Sequence, residues 1–140
     1  MSVKFFLDTN IFIYSFDLGH VLKQKTAKGL IERALKGRDG MISWQVAQEF
    51  LNVALRKFET FISPAEVRVY FDVVLTPLRW IDPSPRLYHR ALELKAESGF
   101  AFYDSLILAS AEEGGCKTLY TEDLGHRQKI AGLTIQNPFL

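Results

Sequence analysis

The stretch Val3-Lys4-Phe5-Phe6-Leu7-Asp8-Thr9-Asn10 decides how the chain is read. A short apolar run reaches an acid and two small polar residues, and a second apolar run, Ile11 to Phe16, follows. An apolar run bounded in this way predicts a buried strand. Asp8, Thr9 and Asn10 are cap residues for whatever helix comes next. Asp8 therefore stands at the carboxyl end of a strand, which is where open α/β sheets receive ligands.

The same alternation continues outward. A helical pattern runs from Val21 to Lys36, with Leu22, Ala27, Leu30, Ile31, Ala34 and Leu35 apolar, and Gly37 is expected to end it. Gly40 to Ser43 reads as a second strand, and Ser43 can cap a helix from Trp44 to Phe58. Ser63-Pro64-Ala65-Glu66 carries a capping box with proline at the first helical position, which predicts a helix to Leu75. Leu78 to Ile81 is a brief strand. Ser84-Pro85 repeats the cap and opens a helix to Ser98, stopped by Gly99. Phe102 to Glu113 reads as a buried helix ended by Gly114-Gly115. Lys117 to Tyr120 and Leu133 to Ile135 are the last strands, with the acidic turn Thr121-Glu122-Asp123 between them. Short strands alternating with helices predict an α/β fold: a parallel sheet covered by helices on both faces.

Composition bounds the rest. The 140 residues fit a single domain, 1–140, long enough to fold without a disulfide or metal staple. With 48% hydrophobic and 24% charged residues the chain is not intrinsically disordered. No apolar stretch reaches the roughly 18 residues of a membrane span, so no membrane association is expected. An acid at position 8 comes too early for an export signal, and a lone Cys116 permits no internal disulfide. A cytoplasmic location is the expectation. Net charge is +1, from 17 basic and 16 acidic residues. If four acids gather in one pocket, the remaining surface is mildly basic, which suits a protein that holds a polyanion and a cation together.

Four acids invite that reading. Asp8 and Asp123 each follow a strand, where capping or turn chemistry would also explain an acid. Glu49 shares a helix face with Val46 and Val53, on the rim of an apolar stripe; a salt bridge to Arg56 or Lys57 is the plainer alternative. Asp104 is embedded in Phe100-Ala-Phe-Tyr-Asp104-Ser-Leu-Ile-Leu-Ala109, the most apolar neighbourhood in the chain. At the start of a helix it would gain from the helix dipole. Carboxylates brought within about 4 Å repel by roughly 4 kcal/mol per pair at an effective dielectric of 20. Such a cluster persists only with protons or a cation bound. Oxygen ligands alone select a hard ion, Mg²⁺ or Mn²⁺, and such ions assist phosphodiester hydrolysis.

The ordered motifs Phe-Leu-Asp8-Thr-Asn, Ser43-Trp-Gln-Val-Ala-Gln-Glu49-Phe, Phe102-Tyr-Asp104-Ser-Leu-Ile and Leu119-Tyr-Thr-Glu-Asp123-Leu resemble a PIN-domain ribonuclease. The nearest likeness is to stand-alone bacterial VapC-like toxins of toxin–antitoxin pairs, and it covers nearly the whole chain. The resemblance implies a three-layer α/β/α PIN-like fold and a Mg²⁺- or Mn²⁺-dependent endoribonuclease. It carries Asp8, Glu49, Asp104 and Asp123 over as catalytic, metal-binding acids, with Asn10 and Thr121 as secondary polar residues. It also implies an RNA substrate, an antitoxin partner and a homodimer. Arg127, in Leu124-Gly-His-Arg, stands where relatives often carry glycine, a departure that leaves the acids intact and bears on substrate contacts nearby.

Phosphate contacts must come from basic residues. The candidates are Lys23, Lys25 and Lys28, then Arg56 and Lys57, and above all Arg127 and Lys129, which follow Asp123. His20, His89 and His126 share no ligand spacing and read as surface or capping residues. Trp80 and Phe139 could serve an interface, though core packing is the more frequent fate of such residues. Three rival readings stand beside the nuclease. A magnesium-dependent phosphomonoesterase wants a second acid two positions after Asp8, where this chain has Asn10. A receiver domain wants a lysine after its last long strand, and no residue fits that role. A non-catalytic RNA- or protein-binding module is the remaining alternative.

Overall fold

Residues 3–57 and 62–140 are described in this computed structural model. Six strands form one sheet in the order β3 (Arg79–Ile81), β2 (Gly40–Ser43), β1 (Phe5–Leu7), β4 (Thr118–Tyr120), β6 (Leu133–Gln136) and β5 (Lys129–Ile130). β1 is central, and Phe5, Phe6 and Leu7 are all buried, so a run without alternation is what its position demands. It pairs in parallel with β2 on one side and with β4 on the other. Strand order reverses between β1 and β4, which makes their carboxyl ends the switch point of the sheet.

The helices are α1 (Thr9–Tyr14), α2 (Val21–Gly37), α3 (Trp44–Lys57), α4 (Pro64–Tyr70), α5 (Pro85–Ser98) and α6 (Phe102–Glu113). Neighbouring residues of β2 show how two of them sit. A side chain at Gly40 would collide with Ala34 of α2, whereas Met41 lies against Gly114 at the end of α6. Successive strand residues face opposite ways, so α2 and α6 cover opposite faces of the sheet. The three-layer α/β/α arrangement follows.

Several local expectations hold. Ser63 and Glu66 complete their capping box, Ser84 accepts from Leu87 N at 3.0 Å, and Gly99 ends α5 in the left-handed conformation. Three do not. Gly37 remains helical, and Arg38 takes the left-handed position that closes α2, at φ 56°. The helix opened at Pro64 changes character at Phe71–Leu75, which form a π-helical turn in which Thr76 N donates to Phe71 O at 2.9 Å. The sheet is mixed rather than wholly parallel, because β5 runs antiparallel to β6. Ala131 and Gly132 both have positive φ, 54° and 76°, the geometry of a two-residue hairpin turn. Alanine rarely adopts it, so the turn gives no signal in the sequence.

The expected end of α3 at Phe58 lies outside the described residues, and so does the Lys57 side chain. Trp80 is packed rather than presented, its Nε1 donating to Leu75 O at 2.8 Å. Phe139 lies edge-on to Tyr14, with ring centroids 4.9 Å apart. Among the described residues no helix is long and apolar enough to cross a membrane.

Candidate active site

The register of the sheet builds the first half of the site. Leu7 is level with Tyr120, and Asp8 N donates to Tyr120 O at 3.0 Å, so the residues leaving β1 and β4 emerge side by side. Thr121 Oγ1 consequently reaches Asp8 Oδ2 at 2.7 Å. Asp8 also caps α1, its Oδ1 accepting from Thr9 N at 2.7 Å. The capping reading and the site reading are thus both true of one carboxyl group. Asp8 is 5% exposed. Burial raises its pKa to about 6 against the pull of these two donors, and the charges of Asp123 and Glu49 push the same way.

The other acids arrive on different elements. Glu49 sits in the second turn of α3, which departs directly from the end of β2 with Ser43 Oγ accepting from Val46 N at 3.4 Å. Its partners are Thr9 Oγ1, donating to Oε2 at 2.9 Å, and Gln45 Nε2, donating to Oε1 at 2.7 Å. No bond to Arg56 is involved. Asp104 lies in the first turn of α6, whose cap position is Ala101, and no hydrogen bond holds its carboxylate among the described residues. Burial raises its pKa, and the charges of Asp123 and Glu49 add to the rise. Asp123 follows Thr121 in the loop after β4 and accepts from Asn10 Nδ2 at 3.1 Å. Burial, then the neighbouring Glu122 charge, raise its pKa beyond what the Asn10 bond lowers, with Glu49 adding to the rise.

Asp8 and Asp104 each feel the charges of Asp123 and Glu49, and Asp123 feels that of Glu49, across 115 residues of chain from Asp8 to Asp123. They form a loose ring rather than a cage: among the described residues no three Asp, Glu, His or Cys side chains close around one ion-sized point. The donor set still suits a hard cation, because every group is an oxygen ligand and magnesium keeps several waters of its own. Asn10 Oδ1, buried and without a hydrogen-bond donor, adds an acceptor such waters could satisfy. Asp8 and its partners would hold the ion, with Asn10 and Thr121 fixing Asp123 and Asp8.

Two supporting groups escaped the sequence reading. In the sequence Thr9 reads only as a possible cap, yet its hydroxyl orients Glu49. Gln45, four residues before Glu49 on the same helix face, donates to that carboxylate and also to Tyr103 O at 3.2 Å. The i, i+4 spacing was the available signal.

The loop carrying Asp123 is tied to the body of the protein by Glu122. Tyr14 OH donates to Glu122 Oε1 at 2.7 Å, and Lys23 Nζ to Oε2 at 2.8 Å. Burial alone would raise the Glu122 pKa, but Lys23 and Tyr14 outweigh it and the net shift is downward. Lys23 is thereby committed to an ion pair at the edge of the site, whereas Lys25 and Lys28 are exposed on α2. Arg127 and Lys129 are also exposed. Arg127 has a left-handed backbone, φ 68°, held by its N–H to Ile135 O at 2.8 Å. The histidines stay apart from the acids: His20 pairs with Asp17, and His126 Nδ1 accepts from Asn137 N. Burial pushes the Cys116 thiol up to about 12, so it is no nucleophile at neutral pH.

The fold is shared with solved structures. The chain resembles a toxin–antitoxin complex from Klebsiella pneumoniae at 24% identity, with a TM-score of 0.65 over 95% of this chain and 96% of that one. VapBC2 from Rickettsia felis, bound to a DNA fragment from its promoter, gives 22% identity and a TM-score of 0.66 over 95% and 97% of the two chains. Mycobacterium tuberculosis VapC20, a sarcin-ricin loop cleaving toxin, gives 21% and 0.60 over 86% and 90%. At these identities the likeness establishes the fold. No curated protein matches in sequence. Residues 5–131 match the PIN domain itself, and the chain therefore belongs to the PIN domain family of nucleases.

Proposed function

We propose that the protein is a Mg²⁺- or Mn²⁺-dependent endoribonuclease and the toxin of a toxin–antitoxin pair. The observation that carries this reading is the gathering of Asp8, Glu49, Asp104 and Asp123, from four separate elements, at the switch point of a mainly parallel sheet. In the reaction a water oxygen attacks a backbone phosphorus and the bond to the 3′ oxygen breaks, leaving 5′-phosphate and 3′-hydroxyl ends. The bound ion supplies positive charge for the phosphate oxygens and eases loss of the water proton. The protein supplies placement. Thr121 and the α1 backbone fix Asp8, Thr9 and Gln45 fix Glu49, and Asn10 fixes Asp123. Asp104, free of hydrogen-bond partners among the described residues, is the carboxylate with most freedom to accept a proton or meet the ion. Exposed Arg127 and Lys129 would bind the RNA backbone beyond the acids.

Likeness to toxin–antitoxin complexes supports an antitoxin partner, and the apolar grooves beside α4 offer it a surface. They are lined by Phe16, Ile62, Val69, Tyr70 and Val73, of which Val69 and Val73 are each about 60% exposed. A homodimer and a cytoplasmic location belong to the same proposal. Incubation with labelled RNA decides the activity. Fragments that need Mg²⁺ or Mn²⁺, vanish in EDTA and are absent with Asp8→Asn or Asp104→Asn are the expected result. The open ring favours one other reading, a non-catalytic RNA binder, which would retain RNA without fragments.

A further inference from the structure

Beside the acids lies a cleft of about 430 Å³, within the range of ligand pockets, walled by α3, α5 and α6. Its aromatic lining comes from the starts of three helices: Trp44, Tyr88 and the pair Phe102–Tyr103. Gln45 and Gln48 contribute amides. None of its lining residues is charged, in contrast to the ring next door.

Three features make this more than a gap. Trp44 is half-exposed, yet its indole is fixed: Nε1 donates to Asp82 Oδ1 at 2.7 Å, and Trp80 meets it edge-on at 5.4 Å. Tyr103 is 67% exposed and braced by Phe102 at 5.6 Å, so two aromatic faces are open to solvent and already oriented. Gln45 belongs to both sites. Its Nε2 reaches Glu49 and Tyr103 O, while its Oε1 is buried and has no donor. Tyr103 itself precedes Asp104. Whatever fills the cleft is therefore adjacent to whatever the acids act upon.

We propose that the cleft receives one unpaired base of the RNA, the one flanking the phosphodiester at the acidic ring, so that cleavage depends on the identity of that base. This rests on the nuclease reading for its function, but the cleft itself can be tested without it. A flat neutral ring with polar edges fits what is offered: aromatic faces for stacking, amides of Gln45 and Gln48 for the base edge. A phosphate does not fit, since no lining residue is a cation and the Glu49 and Asp104 carboxylates adjoin the cleft. Single-stranded RNA is the substrate form implied, because a base inside a duplex cannot leave its stack without cost.

The test uses the full-length chain in EDTA, so that no cleavage occurs, and titrates adenosine, guanosine, cytidine and uridine separately. The two tryptophan indole N–H resonances report, with Trp44→Phe assigning them. The expected result is a shift of the Trp44 signal by at least one nucleoside and unequal shifts among the four. Tyr103→Ala, on an exposed side chain, weakens that binding about tenfold. In the presence of Mg²⁺, Tyr103→Ala and Gln48→Ala flatten base preference at one position beside the cut on randomised RNA. An unmoved Trp44 signal at millimolar nucleoside, or cleavage preference unchanged in both variants, overturns the proposal. So does a monomer produced from a dimer by Tyr103→Ala with nucleoside shifts absent, because a second copy would then occupy the cleft. A wild-type chain that binds nucleosides but cuts no RNA removes the nuclease reading and leaves the base site standing.

Discussion

Thr121 Oγ1 donates to Asp8 Oδ2 across 2.7 Å, joining two residues 113 positions apart that leave adjacent parallel strands at the same level. Burial, which that bond only partly offsets, sets the state of the most buried acid in the ring. Asp8 has a pKa of about 6 in the folded chain against 3.8 for the free group. Between those values the folded state holds a proton that the unfolded state has lost. Its contribution to stability is therefore complete below about pH 4 and is lost as pH rises through 6. The size is about 3 kcal/mol at one pKa unit per 1.36 kcal/mol. Urea unfolding of the metal-free protein between pH 4 and 7 should show this decline. Asp8→Asn should remove most of it and be the more stable protein at pH 7. Parallel pH profiles for the two proteins would contradict the assignment of the burden to Asp8.

Thr9→Val keeps the shape of the side chain and removes the hydroxyl that orients Glu49 at 2.9 Å. Fixing a metal-binding carboxylate through a neighbour typically matters 10–100-fold in metal affinity or activity. The Mg²⁺ concentration giving half-maximal cleavage should rise about tenfold, with a stability change of only about 1 kcal/mol. Thr9→Ser should restore the wild-type value. A midpoint that does not move in Thr9→Val would mean that Glu49 needs no such support.

Much of this was legible in the sequence, and the reasons differ by element. The strands β1, β2 and β4 are apolar runs ended by polar residues, and the caps at Ser63 and Ser84 obey local chemistry, so both kinds of signal lie within a few residues. The four acids were legible because each interrupts an apolar context or ends a strand. What stayed hidden depends on tertiary register or on rare backbone states. The β5–β6 hairpin turns on a left-handed alanine. Arg38, not Gly37, closes α2. The π turn at Phe71–Leu75 has no pattern distinct from an α-helix. Thr9 reaches Glu49 only because α1 and α3 pack together, which no spacing rule states.

Arg127 stands at a position whose φ of 68° favours glycine. A left-handed conformation costs a side-chain-bearing residue roughly 1–2 kcal/mol, and the greater freedom of glycine in the unfolded chain takes back part of that gain. Arg127→Gly should stabilise the protein by about 0.5–1 kcal/mol in thermal unfolding. If the guanidinium binds RNA, the same variant should bind more weakly and with a shallower salt dependence. A variant that is less stable than wild type would show that the arginine side chain contributes packing the backbone cost conceals.

On the proposed reading, four carboxylates, loosely ringed, together hold one divalent ion. Direct titration with Mn²⁺, followed by the electron paramagnetic resonance signal of the free ion, tests it in the absence of any RNA. The wild-type chain should take up Mn²⁺, and Asp8→Asn, Glu49→Gln, Asp104→Asn and Asp123→Asn should each weaken uptake about tenfold or more. Uptake that is undiminished in all four variants would mean that these carboxylates hold no ion.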